Sequence, residues 1–370
     1  MIGTGRDDEK RPRLTPSAAR LVNKPGAFRS AGISLACCLS AVLVGVSACK
    51  VDRKVTAEKA PPSKCIERLS SIPLLSAVLK SRERSEEEGK NRPLEGMEIA
   101  LTINKMIRGH SDPEAEIDSW CEFENTPANF DKIVSALRQH DIPPTVSFVN
   151  GRAADASVLE KWVDSGNLLG NMTFSRKRAT KRSGQEFIDD VARNEQSLGK
   201  VMSRGRSKDL YFRFPGIKTS RDQQTRQEVD AFLSKRGYLV TPATIDAYGR
   251  HFNDVYCQAQ ARGDQQCASL AKAHFKTILL KSTLKARALA KREAGYDVKH
   301  ILLIDANQFL CDNLSDILAW YKSLGARFIP LKDALKDPFY SRTDEKGRTA
   351  ARVVLSRTRR SHFAAAKGEP

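Results

Sequence analysis

From Met97 to about residue 338, short apolar or β-branched runs alternate with longer amphipathic stretches. The short runs are MEIALTIN (97–104), PTVSFVN (144–150), LLGNMTF (168–174), DLYFRFP (209–215), YLVTPATID (238–246), HILLIDAN (300–307) and RFIPL (327–331). Each predicts a strand, with YLVTPATID the weakest pattern of the seven. Between them, NFDKIVSALRQHD places Phe130, Ile133, Val134 and Leu137 on one helical face, and GQEFIDDVARNEQSLGKVM does the same with Phe187, Ile188, Val191 and Leu198. RQEVDAFLSKRG reads as a further helix, and LSDILAWYKSLG gathers Leu314, Ile317, Leu318 and Tyr321 ahead of a stop at Gly325. Strands separated by helices of this size imply an α/β fold with a parallel sheet and helices outside it, as an open sheet or a barrel. Seven strands lean toward the barrel.

The flanks read differently. Residues 31–48, AGISLACCLSAVLVGVSA, form a long uncharged apolar run with Arg29 before it and Lys50, Arg53 and Lys54 after it. An export signal or membrane anchor has this pattern, because the apolar stretch enters the bilayer while the charges stay out. Its end, Val46-Ser47-Ala48-Cys49, resembles a bacterial lipobox, which makes Cys49 a lipidation candidate and residues 1–49 an export signal. An uncleaved anchor, a plain signal peptide and a buried helix are the alternatives. Residues 50–94 carry Pro61, Pro62, Pro73 and Pro93 among charges and read as a flexible tether, with one short helix near Leu74–Arg84. The globular domain spans 95–340. Residues 341–370 hold eight basic and three acidic residues and read as a mobile basic tail, in which ARVVL has room for one helical turn.

Composition narrows the function. The 370-residue chain is 40% hydrophobic and 29% charged, which suits a soluble globular domain, and its formal charge is +18. That balance attracts polyanions, and in an exported protein these include anionic wall polymers and lipid headgroups. Zinc-finger spacing, aromatic-basic strands and a recognition helix are all missing from the sequence, so nucleic acid is not the expected partner. Eight cysteines include no CxxC pair; Cys257 and Cys267 are the closest-spaced disulfide candidates in the domain. The six histidines show no short metal-ligand spacing.

The segment ILLIDANQFLCDNLSDILAWYKSLGARFIPLKDAL (301–335), with NFDKIVSALRQHDIPPTVSFVNGRAA, resembles the polysaccharide deacetylase family, the NodB homology domain of carbohydrate esterases. The resemblance covers roughly residues 95–338 and implies an irregular seven-stranded (β/α) barrel. It also implies metal-assisted removal of acetyl groups from sugars, with a zinc-type ion on one aspartate and two histidines, an aspartate base and a late histidine acid.

The site positions depart from that family. Where its first motif has Thr-Phe-Asp-Asp-Gly, this chain keeps Thr102 and Ile103 but places Asn104 at the base, Lys105 at the metal ligand and Met106 at the glycine. Where its second motif has two histidines four apart, Gly170, Asn171, Thr173 and Ser175 keep the frame around Met172 and Arg176. An amide is no base, an ammonium repels a dication, a thioether is a poor zinc donor and a guanidinium has no lone pair. The third motif survives as Arg213-Phe214-Pro215-Gly216, whose arginine orients the base in the family. The fourth survives as Thr244-Ile245-Asp246, with Gly249 and Arg250 where an Asp-Trp pair is expected, and the late histidine falls on Asp305.

These replacements imply an envelope protein with a degenerate metal site, no cofactor and no retained hydrolysis. Strand-end loops of a barrel converge, so Lys105, Arg176, Arg213, Asp246 and Asp305 should meet. One expectation is an internal salt-bridge network filling the vacated site. Another is a glycan cleft without turnover, with Arg176, Arg213, Tyr248 and Asp305 as ligand contacts and Tyr248, Phe214 and Phe174 as apolar platforms, where arginine forks suit anionic substituents. The alternatives are an active zinc-dependent deacetylase acting on N- or O-acetyl groups and a structural envelope protein with a protein partner. The expected location is outside the cytoplasm, anchored in a bacterial envelope through the N-terminal lipid or anchor.

Overall fold

A computed structural model describes residues 65, 92–104, 127–153, 156–205, 208–220, 222–247, 249–344 and 348–367, all within one unit, Lys59–Pro370. The apolar run, Cys49, nearly all of the tether, Lys105 and Tyr248 lie outside the described residues. Among those described, no helix is long and apolar enough to cross a membrane.

Eight strands build one parallel sheet: β1 (Glu98–Asn104), β2 (Val146–Val149), β3 (Leu168–Asn171), β4 (Leu210–Phe212), β5 (Tyr238–Val240), β6 (Ile245–Asp246), β7 (His300–Asp305) and β8 (Arg327–Phe328). Seven run in the order β5-β4-β3-β2-β1-β7-β6, curling as an irregular barrel that stays open between β5 and β6. Pairing with β7 occupies one edge of β1 from Ile99 to Asn104, so β8 takes the other edge at Glu98–Ile99, ahead of β2. The predicted strand at 238–246 is two strands. Pro242 lies between them, lacks an N–H for the ladder and lets the chain cross from one end of the curled sheet to the other.

Nine α-helices are described: α1 (Pro127–Gln139), α2 (Ala156–Asp164), α3 (Gly184–Met202), α4 (Gln223–Lys235), α5 (Gly249–Ala261), α6 (Gln265–Ala294), α7 (Gln308–Ser323), α8 (Leu331–Leu335) and α9 (Ala350–Lys367). Local chemistry fixes several starts. Ser183 and Glu186 form a reciprocal capping box on α3, and Asp222, Asp264 and Asn307 accept the backbone N–H three residues ahead at α4, α6 and α7. Gly295 ends α6 with φ of 86°, a left-handed turn that favours glycine.

Two expectations are overturned. The mobile tail is instead α9, which buries Ala351, Val354, Leu355 and Thr358 and packs on α6 and β6. Its Ala-Val-Leu stripe gains enough burial against these neighbours to order a segment whose charges suggested a coil. Cys267 pairs with Cys65 across 202 positions of sequence rather than with Cys257. Cys257 is disulfide-bonded as well, and Cys311 is a buried free thiol. Cys267 lies in the first turn of α6, where it is held by that helix's cap.

Candidate functional site

The strand alternation around β4 decides the centre of the barrel. Phe212 and Phe214 point outward into an aromatic cluster with Phe187 and Tyr238, where Phe214 stacks on Phe187 at 5.7 Å. Arg213, between them, must therefore point inward. Its side chain is 0% exposed, and its backbone N–H continues the ladder to Asn171 O at 2.9 Å. Phe214 is consequently a core residue and no platform for a sugar.

Inside the barrel Arg213 spans from β4 to β1 and to the β5–β6 crossing. Nη1 donates to Asn104 Oδ1 at 2.9 Å and Nη2 to Thr102 Oγ1 at 3.0 Å. Nε donates to Thr241 O at 3.1 Å and Nη2 also to Pro242 O at 3.3 Å. The guanidinium lies 4.0 Å from the Phe148 ring centroid, a favourable cation–π contact. All four acceptors are neutral, so burial pulls the Arg213 pKa down to about 9, while the fields of Asp305 and Asp246 hold it up. It remains a cation at neutral pH.

Asp305 and Asn104 are register partners at the ends of β7 and β1. In-register residues of parallel neighbours share a face, so the Asp305 carboxylate and the Asn104 amide sit side by side above Arg213. Asp246 ends β6 opposite Leu303, two positions before Asp305 on the same face. The carboxylate of Asp246 accepts two hydrogen bonds at Oδ2 from Arg359 of α9, Nη2 at 2.6 Å and Nε at 3.0 Å. Sequence reasoning missed Arg359 altogether. Its only signal was the basic run SRTRR, which is indistinguishable from a solvated tail until the helix docks.

Hydrogen bonds fix the frame of the Met172–Arg176 loop. Asn171 is the hub: its Nδ2 donates to Val191 O and Tyr238 Oη, and its Oδ1 accepts from Thr173 N and from Asn194 Nδ2. Gly170 lies so close to Phe148 that a Cβ there would meet the ring at 2.5 Å. Thr173 and Arg176 both adopt left-handed backbone, φ 62° and 58°, and the Thr173 hydroxyl accepts the Arg176 N–H at 3.0 Å. Ser175 is tied to Asp190, which also pairs with Arg182 at 3.1 Å. Within this scaffold Met172 is 2% exposed and packs in the main core, while Arg176 is half-buried. Phe174 is covered by Arg193, whose guanidinium carbon stands 3.9 Å from the ring centroid.

The structure thus joins Asn104, Arg213, Asp246 and Asp305 in one site and sends Met172 into the core. The expected salt-bridge network takes another form, in which Arg213 binds neutral oxygens and the partner of Asp246 comes from α9. Residues 113–232 match the family model described as polysaccharide deacetylase. The chain has the polysaccharide deacetylase fold. Similar solved structures of that deacetylase family include a CE4 family pseudoenzyme from Bacillus anthracis, 15% identical, covering 66% of this chain and 66% of that one with a TM-score of 0.43. A mutant CE4 pseudoenzyme with restored enzymatic activity is also 15% identical, covering 66% and 69%, with a TM-score of 0.43. The chitin deacetylase of the fungus Colletotrichum lindemuthianum is 17% identical, covering 65% and 88%, with a TM-score of 0.42. No curated protein matches the chain.

The zinc-type ion of the deacetylase family does not fit the donors of this site. Asn104 offers a neutral amide oxygen already engaged by Arg213, Met172 offers a buried thioether, and Arg176 offers a permanent cation. Among the described residues no group of three or more His, Cys, Asp or Glu is placed to hold a metal ion.

Proposed function

We propose that this chain is a catalytically silent polysaccharide deacetylase-like protein that binds a polysaccharide of the cell surface without turning it over. The observation that carries the reading is the Arg213–Asn104 hydrogen bond of 2.9 Å. The resemblance predicts an arginine that orients the catalytic base. Here the arginine keeps its grip, but what it grips is an amide with no basicity near neutral pH. The loop around Thr173 and Ser175 is likewise maintained by its hydrogen bonds after its donor positions have become Met172 and Arg176.

Export fits the same reading. A bond between Cys65 and Cys267, with Cys257 also oxidised, suits a compartment outside the reducing cytosol. Anchoring through a lipid on Cys49 is the corresponding proposal for how the domain stays at the envelope. The anionic-polymer version of the ligand is weakened, because Arg213 is sealed inside the barrel and only Arg176 of the two proposed anion contacts is near the surface.

The test combines bound-metal analysis of the purified full chain, a deacetylation assay and titration with N-acetylglucosamine hexasaccharide. Saturable binding with no acetate release is the expected result. Stoichiometric zinc together with acetate release would make the protein an active deacetylase instead, and absence of both binding and turnover would leave a structural role with a protein partner.

A further inference from the structure

Helix α6 is apolar on the side it should show to water. Its inner face, with Ala271, Phe275, Ile278, Ser282 and Ala286, is buried in the core. On the opposite side Ala273, Thr277, Leu280, Leu284 and Ala288 recur at three and four positions and form a second stripe. Ala273, Leu284 and Ala288 are exposed, and Thr277 and Leu280 are half-buried. Leu284, at 36%, is one of two large apolar residues this exposed among those described. Thr277 turns its hydroxyl back onto Ala273 O at 3.1 Å, so the one polar side chain of the stripe is satisfied within the helix. A helix that is apolar all round is a covered helix.

The chain itself is fixed at both ends of this stripe. Cys65 is buried in the core and bonded to Cys267 in the first turn of α6. Arg287, 20 positions and about 30 Å further along the helix, donates from Nη1 to Pro93 O at 3.3 Å and from Nη2 to Glu95 O at 3.1 Å. At about 3.6 residues per turn, Cys267 and Arg287 fall on opposite flanks of the stripe. The inner face of α6 is closed by the core, so the short path from Cys65 to Arg92 crosses the outer one. The 26 residues of that path, 66–91, have roughly 85 Å of extended reach, which leaves ample length for a helix on the way. They contain the expected short helix, in which Leu75, Val78 and Leu79 share one face. Charge runs in the same order. Glu86, Glu87 and Glu88 follow the apolar part, and Lys285, Lys291 and Arg292 lie toward the far end of α6.

We propose that residues 74–84 dock as an amphipathic helix on the outer stripe of α6, with Leu75, Val78 and Leu79 against Leu280 and Leu284. Docking removes apolar surface of both partners from water. Its entropic cost is low, because the two fixed ends already hold the segment beside its site. The tether expected over 50–94 then shortens to 50–64.

The experiment is hydrogen exchange on the full chain in neutral detergent, read by mass spectrometry. Amides 74–80 should exchange at least about tenfold more slowly than in an unstructured chain. L284D should abolish that protection, L75D should do the same, and combining them should add nothing further. Amides of β1 and β7 should keep their wild-type rates in all three variants. L75D supplies the independent readout if L284D disturbs α6. Unprotected amides at 74–80 in wild type overturn the proposal. Protection that survives L284D overturns it too, because the segment would then fold alone or dock elsewhere. Two other occupants of the stripe have their own signatures. A dimer in sedimentation that L284D abolishes would assign the stripe to a second copy, and exchange in α6 slowed only when phosphatidylglycerol vesicles replace the detergent would assign it to a lipid surface. Either result, with 74–80 unprotected, overturns the proposal.

Discussion

Arg213 Nη1 donates to Asn104 Oδ1 at 2.9 Å, so a buried cation on β4 is tied to an uncharged residue on β1 across the interior of the barrel. The contact ties two walls of the fold together and fixes the amide at the end of β1.

Replacing this arginine should be costly. Arg213→Ala leaves Asn104, Thr102, Thr241 and Pro242 oxygens short of donors and opens a hole against Phe148. A loss of roughly 3–5 kcal/mol is expected, read as a lower urea midpoint in equilibrium unfolding.

Asn104→Asp should be tolerated, because the new carboxylate meets a guanidinium already in place. Its pKa should fall below the ordinary carboxylate range, since the charged form gains a partner. The variant's added stability is then present at neutral pH and is lost as pH drops through that lowered value. Unfolding of variant and wild type side by side across acid pH checks this. No acetate release is expected from the variant, because Met172 and Arg176 offer a metal ion neither a good donor nor a lone pair.

His300 predicts an acid sensitivity. It is fully buried at the start of β7, its Nδ1 meets Thr244 Oγ1 at 3.1 Å, and its Nε2 has no hydrogen-bond partner among the described residues. Burial lowers its pKa to about 4, with Asp297 the main opposing influence. The unfolded chain takes up this proton near pH 6.5 and the folded one does not. Stability should therefore fall between about 6.5 and about 4, by an amount on the order of 3 kcal/mol. His300→Asn should flatten that part of the stability–pH profile; an unchanged slope would assign the effect to other groups.

The Cys65–Cys267 bond closes a loop of 202 positions. Replacing both residues with serine should lower stability by about 2–5 kcal/mol through the freer unfolded chain. The check is denaturant unfolding of the double variant against the oxidised wild type.

Periodicity revealed much of this fold and little of its closure. Helix α3 was legible because Phe187, Val191 and Leu198 mark its face, while the Ser183–Glu186 cap that fixes its start emerged only in the structure. The 30-residue α6 was not, because its buried side includes Ala268, Ala271, Ser282, Thr283, Ala286 and Ala290, which carry little apolar signal. Such a face is recognised only by what packs on it. The meeting of Asn104, Asp246 and Asp305 followed from strand ends converging. The burial of Arg213 was readable in principle, since Phe212 and Phe214 flank it with outward-facing rings, but a lone charge suggested a surface. Arg359 gave no comparable cue, because its role arises from docking over a hundred residues away from its partner.

Helix α9 also sets where the protein can be cut. A fragment ending near residue 340 would bare Ala243, Leu303 and Ile217 to water and strip Asp246 of its guanidinium, so an expression fragment trimmed to the family-like segment would be prone to aggregate. Residues 350–367 should be retained in any such fragment, as part of the wall rather than an appendage.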